Sequence, residues 1–166
     1  METKSIYNWK TNLLGTKFKL YANDNVIGSL ESSNWNLDAR ATIQSDQYNF
    51  KNKGFFNPYT EIRDKHGYLV ADIEYSPWTG NATISLIGKK YFWSAKGIWM
   101  SSWKIEDANG QVIEVKPGML GDSGTIESMD NSEMLLSICL YLQRRAVLLY
   151  SMIAFLPIFI LLLLCI

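Results

Sequence analysis

From Lys17 to Glu127 apolar residues tend to recur at every second position, with polar residues between them. That is the period of a strand with one buried face. Ala82, Ile84 and Leu86 alternate in this way with Thr83 and Ser85. The middle of the chain reads as Tyr59–Arg63, Tyr68–Tyr75, Asn81–Ile87 and Tyr91–Ala95, four short strands with turn residues between them. In the turn Asp64–Gly67, Asp can accept bonds from the backbone ahead of it and Gly accepts positive φ. Ser76–Gly80 and Gly88–Lys90 are the other turns. Earlier strands are Lys17–Tyr21, Val26–Glu31, Leu37–Gln44 and Gln47–Lys51; later ones are Trp99–Glu106, Gln111–Lys116 and Gly124–Glu127. Ile6–Lys10 adds an edge strand.

The alternation stops at Asp130. From Met134 to Ile166 the only charges are Arg144 and Arg145. Asp130–Asn131–Ser132–Glu133 is a helix-start signature, capping residues followed by an acid in the first turn, which starts the helix at about 132. Met134–Leu142 is apolar on every side, so the helix must be covered all round. Ala146–Ile166 is twenty-one residues without a charge, and about twenty span a bilayer core. Pro157 within it is tolerated better in a membrane helix than in a soluble one. Two arginines precede the span and no charge follows, which faces the arginine side to the cytoplasm. Two alternatives stand beside this reading. Met134 begins one long transmembrane helix, or 146–166 packs on protein.

The strands repeat. At an offset of 43 residues Trp35 meets Trp78, Ala39 meets Ala82, Ile43 meets Leu86, Tyr48 meets Tyr91 and Phe50 meets Trp93. The same offset carries Ile62 to Ile105, Asp64 to Asp107, Gly67 to Gly110 and Val70 to Ile113. The chain thus holds about two and a half copies of one four-strand unit. Propeller blades have this period, but a propeller needs about four or more blades. An open sheet of this size leaves two exposed edges. The expected fold is therefore mainly β: an antiparallel barrel of about ten to twelve strands. A barrel so wide cannot fill its interior with its own side chains. The 134–142 helix is the plug, and 146–166 is an apolar helical extension.

Repeated four-strand units with a D-x-x-G turn (Asp64–Gly67, Asp107–Gly110), small-apolar strands such as Asn81–Ala82–Thr83–Ile84 and an apolar C-terminal helix together resemble the tubby and phospholipid-scramblase superfamily. The resemblance covers about Lys17 to Leu142. It implies a twelve-strand barrel threaded by the C-terminal helix. The basic phosphoinositide pocket of tubby and the acidic calcium segment of scramblases have no counterpart here, so neither activity is carried over.

Formal charge balances at 16 Lys and Arg against 16 Asp and Glu, with no strongly basic face for nucleic acid. Cys139 and Cys165 sit in apolar sequence without a CxxC and read as small hydrophobes. His66, the only histidine, falls in a turn. The count excludes metal sites of His/Cys type, and a Ser–His–Asp triad would have to use His66, with no G-x-S-x-G in the chain. No apolar leader follows Met1, which leaves the β region in the cytoplasm. Lys89, Lys90, Arg144 and Arg145 are the candidates for anionic lipid headgroups; Trp99 and Trp103 are candidate interfacial residues. The expectation is a non-enzymatic barrel domain (1–145) with a membrane anchor (146–166), binding lipid or a protein at the cytoplasmic face without a cofactor. The alternative is a soluble structural or interaction module with the whole tail packed internally or in an oligomer interface.

Overall fold

The computed structural model describes residues 4–164 except 34–35, 55–57, 78, 97–101 and 120; side chains of 149–164 lie outside it. Twelve strands and one helix follow in order: β1 Ser5–Thr11, β2 Lys17–Ala22, β3 Asn25–Ser32, β4 Ala39–Ile43, β5 Asp46–Lys53 and β6 Tyr59–Asp64. Then come β7 Leu69–Tyr75, β8 Ala82–Leu86, β9 Lys89–Lys96, β10 Ser102–Asp107, β11 Gly110–Pro117, β12 Ser123–Ser128 and α1 Glu133–Leu164. Each strand pairs antiparallel with its neighbours in sequence, and β1 pairs with β12, so the sheet closes into a barrel. Ile6–Lys10 is therefore no edge: β1 is bonded on both sides, to β2 through Trp9↔Leu20 and to β12 through Trp9↔Gly124.

Closure completes the repeat. β2–β5 and β6–β9 are two full units; β10–β12 is the third, and β1 supplies its missing fourth strand. Trp9, Phe50 and Trp93 hold equivalent places, opposite Leu20, Ile62 and Ile105. On their other side each faces a small residue: Gly124, Ala39 and Ala82. The three hairpins β2–β3, β6–β7 and β10–β11 share a register shift, at Leu20/Tyr21, Ile62/Arg63 and Ile105/Glu106. The residue left unpaired is Ile27, Val70 or Val112, so an extra apolar side chain turns inward at each bulge. Beyond the bulge Ala71 is the equivalent of Ile113, and Val70 that of Val112. The expected Val70–Ile113 match is thus one residue out of register, because the β10–β11 turn is shorter. Trp35 and Trp78 lie outside the described residues.

The turns form as their residues require. Asp64 Oδ1 accepts from the backbone N–H of His66 and Tyr68, both at 2.9 Å, and Gly67 has φ +87°. Asp107 repeats the device with Asn109 at 2.7 Å. Ser132 caps α1, accepting from Leu135 N–H at 3.4 Å.

The core sits between the barrel wall and α1. Leu20, Leu30, Ile43, Ile62, Ile73, Ile84, Ile105 and Ile113 are fully buried from the wall. From the helix, Leu136, Ile138, Leu140 and Leu142 are buried although successive helical positions point about 100° apart. Only a surrounding sheet covers all four. Cys139 is buried among them, and its thiol pKa is pushed up by that burial; Cys165 lies outside the described residues. Trp103, expected at an interface, is instead fully buried; Trp99 lies outside the described residues.

Candidate functional site

The two ends of the barrel differ. Short turns between β2–β3, β4–β5, β6–β7, β8–β9 and β10–β11 gather where α1 begins. The other end is where α1 leaves the barrel; it carries the remaining connections.

At this mouth the helix meets each unit through a different polar contact. In the middle unit Thr60 occupies the place that Phe18 and Trp103 hold in the other two. Trp9 packs on Phe18 with centroids 5.6 Å apart, and Trp93 on Trp103 at 6.1 Å. Phe50 has no such strand neighbour at Thr60. Tyr141 of α1 fills that position, stacked on Phe50 at 4.5 Å with its hydroxyl 3.1 Å from Thr60 Oγ1. Tyr75 OH approaches the same Oγ1 at 2.8 Å. Burial raises the hydroxyl pKa of both tyrosines above the ordinary range, so the cluster is neutral.

In the third unit Trp103 Nε1–H donates to Gln143 Oε1 at 2.8 Å. In the first, Arg144 Nε donates to Ser32 Oγ at 2.8 Å, and its Nη2 reaches the Ser33 carbonyl at 3.4 Å. Arg144 is only 3% exposed, and burial lowers its pKa. Tyr141, Gln143 and Arg144 thus fix the depth and the rotation of the helix in the barrel. The polar groups of Tyr141, Gln143 and Arg144 are satisfied where they sit, as the low local dielectric demands.

Arg145, next along the helix, points elsewhere. Its guanidinium carbon lies 3.7 Å from the centroid of the Tyr75 ring, a cation–π contact. It borders a crevice of about 190 Å³ lined by Pro58, Tyr75, Pro77, Trp93 and Leu142. Trp93 Nε1 is buried without an acceptor, as is Trp9 Nε1 at the equivalent place in the barrel. The mouth therefore presents a half-buried cation at the rim of an apolar cleft.

Lys89 and Lys90 are exposed at the opposite end; they are the first residues of β9, paired with Leu86 and Ser85, so the expected Gly88–Lys90 turn is confined to Ile87–Gly88. The structure brings Arg144 and Arg145 together on α1 and separates them from this lysine pair by the length of the barrel. Lys89 borders a hollow of about 470 Å³ with Tyr91, Asp107 and Asp130. Asp46, Tyr48, Asp64 and His66 border the repeat-equivalent hollow of about 210 Å³. There the Tyr48 pKa is pushed up to about 12, by burial first and by the Asp46 charge second. Glu133 is raised by burial and by its bond to Asp46. Acidic groups thus crowd the start of α1. Among the described residues no three His, Cys, Asp or Glu side chains gather as a metal site requires.

Sequence reasoning passed over Thr60, Tyr75 and Ser32. Thr60 carried a signal: it is the one polar residue at an inward position that its repeat partners fill with rings. Among the described residues no helix is long and apolar enough to cross a membrane. The chain matches no protein-family description, no curated protein and no solved structure.

Proposed function

We propose that this chain is a non-enzymatic, membrane-tethered β-barrel module whose mouth lies at the cytoplasmic face of a membrane and binds anionic lipid there. One observation carries the reading. Helix α1 does not stop at the barrel wall: among the side chains described, Ala146 is the last buried one, Val147 and Leu148 are half-buried, and the backbone stays helical to Leu164. The eighteen residues from Val147 to Leu164 rise about 27 Å at about 1.5 Å each. A bilayer core is about 30 Å thick. The sequence of that stretch holds no charge, and Arg144–Arg145 precede it, the order that keeps the barrel on the cytoplasmic side.

Within this reading the two arginines divide their work. Arg144 holds the helix in the barrel; Arg145 is the cation offered to a headgroup. Near an anionic surface such a charge is worth about 1 kcal/mol. Lys89 and Lys90 face away from the membrane. The twelve-strand closure around a C-terminal helix supports the resemblance to the tubby and phospholipid-scramblase superfamily, and we propose that kinship.

Flotation of the full-length chain with vesicles tests the reading. It should float with lipid and resist extraction by salt and carbonate. Arg145→Gln should weaken binding of soluble anionic lipid several-fold with no loss of flotation. A full-length chain that is soluble without detergent would overturn the tether, and an unchanged Arg145→Gln affinity would overturn the headgroup role.

A further inference from the structure

Two connections at the mouth stand side by side, because β1 neighbours both β2 and β12. Thr11 N–H donates to the Asp122 carbonyl at 2.7 Å, which ties the β1–β2 connection to the β11–β12 one. Their tips are apolar and open: Leu13 is 106% exposed, Leu14 70% and Met119 103%. The β1–β2 turn also lies against the departing helix. A Cβ placed on Gly15 would stand 3.2 Å from Val147 Cγ1. Large apolar side chains thus project beside the place where α1 leaves the barrel.

The position recurs in the sequence. Leu14, Phe56 and Trp99 are one repeat-related set; Trp35, Trp78 and Leu120 are another. Apart from Leu14 they lie outside the described residues.

Exposed apolar residues occur at the other end too, Ile87 and Tyr68 among them. That end is crowded with acids: Asp46 and Asp64 in one hollow, Asp107 and Asp130 in its equivalent. An anionic membrane surface repels them. At the mouth Lys10 and Lys17 flank the tips; Lys17 pairs with Glu31 at 3.4 Å, Asp38 pairs with Lys51 at 2.8 Å, and Asp122 stands in the same connection as Met119, so acids and lysines are interspersed there. Exposed leucine and methionine beside lysines suit a membrane–water interface.

We infer that the mouth of the barrel is itself seated in the bilayer interface, with Leu13, Leu14 and Met119 entering the lipid beside the helix. The inference rests on the proposed tether and adds to it: the barrel does not hang free on its helix but stands on the membrane in one orientation. The occupant of this face is lipid because the helix that emerges through it continues in the same direction.

The test uses the full chain in phosphatidylcholine–phosphatidylserine vesicles, in a Cys165→Ser background with Cys139 buried. An environment-sensitive fluorophore is attached at Leu14→Cys, Met119→Cys or Ile87→Cys, all exposed positions. At 14 and 119 emission should shift to the blue, and nitroxide-labelled lipid should quench it several-fold more than at 87. If the chain floats with vesicles but 14 and 119 report water, the seat is wrong and the tether stands. A blue shift without lipid quenching would mean that a second copy covers the face, and would equally overturn the proposal. Strong quenching at all three sites would mean that the barrel lies on its side, which also overturns it. If the chain does not float, the tether fails first and the seat falls with it.

Discussion

Gly124 sits at the seam, between the strand that begins the barrel and the strand that ends it. Its equivalents are Ala39 and Ala82, so alanine suits the backbone at this place in the repeat. In the third unit it has no room. A Cβ on Gly124 would lie 2.5 Å from the Lys116 carbonyl oxygen, 2.8 Å from Trp9 Cζ2 and 2.9 Å from Pro117 Cα. Two of these three obstacles are backbone of the paired strand, and the third is one of the largest fully buried side chains. Gly124→Ala should therefore destabilise by about 1–3 kcal/mol, the usual cost of overpacking. The first unit suggests the remedy: there the facing pair is Ala39 with Phe50. Trp9→Phe in the Gly124→Ala chain rebuilds that pair. Alone, Trp9→Phe leaves a void and should cost about 1 kcal/mol or more. Together the two should cost less than their sum by about 0.5–1 kcal/mol, a coupling typical of residues in contact. Recovery stays partial because the Lys116 carbonyl does not move. Guanidinium unfolding in detergent, followed by circular dichroism, measures all four chains. Costs that add to within about 0.3 kcal/mol would mean that Gly124 and Trp9 do not share space, and the seam geometry argued from the repeat would be wrong.

Leu136→Ala should lower stability by about 2–5 kcal/mol, since the side chain is 2% exposed inside the barrel; a loss under about 1 kcal/mol would mean that the wall does not enclose it. Thr60→Val keeps the shape but removes the shared hydroxyl partner of Tyr75 and Tyr141, and should cost about 1–3 kcal/mol; Tyr141→Phe in that background should then cost less than it does alone. Glu127 bonds Lys116 and Lys4, in that order of effect, which hold its pKa below the ordinary value. A depressed carboxylate stabilises above its unfolded pKa and loses that contribution as pH falls through the folded one. Glu127→Gln should therefore flatten the acid limb of the stability profile and leave no pH-dependent gap below it; an unchanged acid limb would refute the pairing.

Much of this fold was legible because local pattern and global architecture agree. Strict alternation marked the strands, and a helix apolar on all sides demanded a closed wall around it. What escaped was non-local. Nothing in Ile6–Lys10 distinguishes an edge strand from a seam strand, since its partner, Ser123–Ser128, lies more than a hundred residues away. The bulges escaped because Ile27, Val70 and Val112 look like ordinary strand residues; only pairing shows that each stands outside the ladder. At the mouth Arg144–Arg145 reads as one basic pair. A helix turns adjacent residues about 100° apart, so one guanidinium goes inward to Ser32 and the other onto Tyr75. Trp103 was misread because its indole N–H suits an interface as well as a core; its acceptor, Gln143, belongs to a helix forty residues on.

The seam also sets the order of events when the chain folds. Pairs such as Ser5↔Ser128 join segments that the ribosome delivers far apart in time, and contacts of such long range slow the search for the native state. The twelve strands cannot shut without a filling, and the filling follows them in sequence. Until then the nascent sheet has two unpaired edges and an apolar inner face, the kind of surface that aggregates. The β1 of a neighbouring copy offers the same hydrogen bonds to β12 as the chain's own, so the topology permits exchange of that strand between copies. The seam cannot close, nor the barrel fill, until β12 and the helix have emerged.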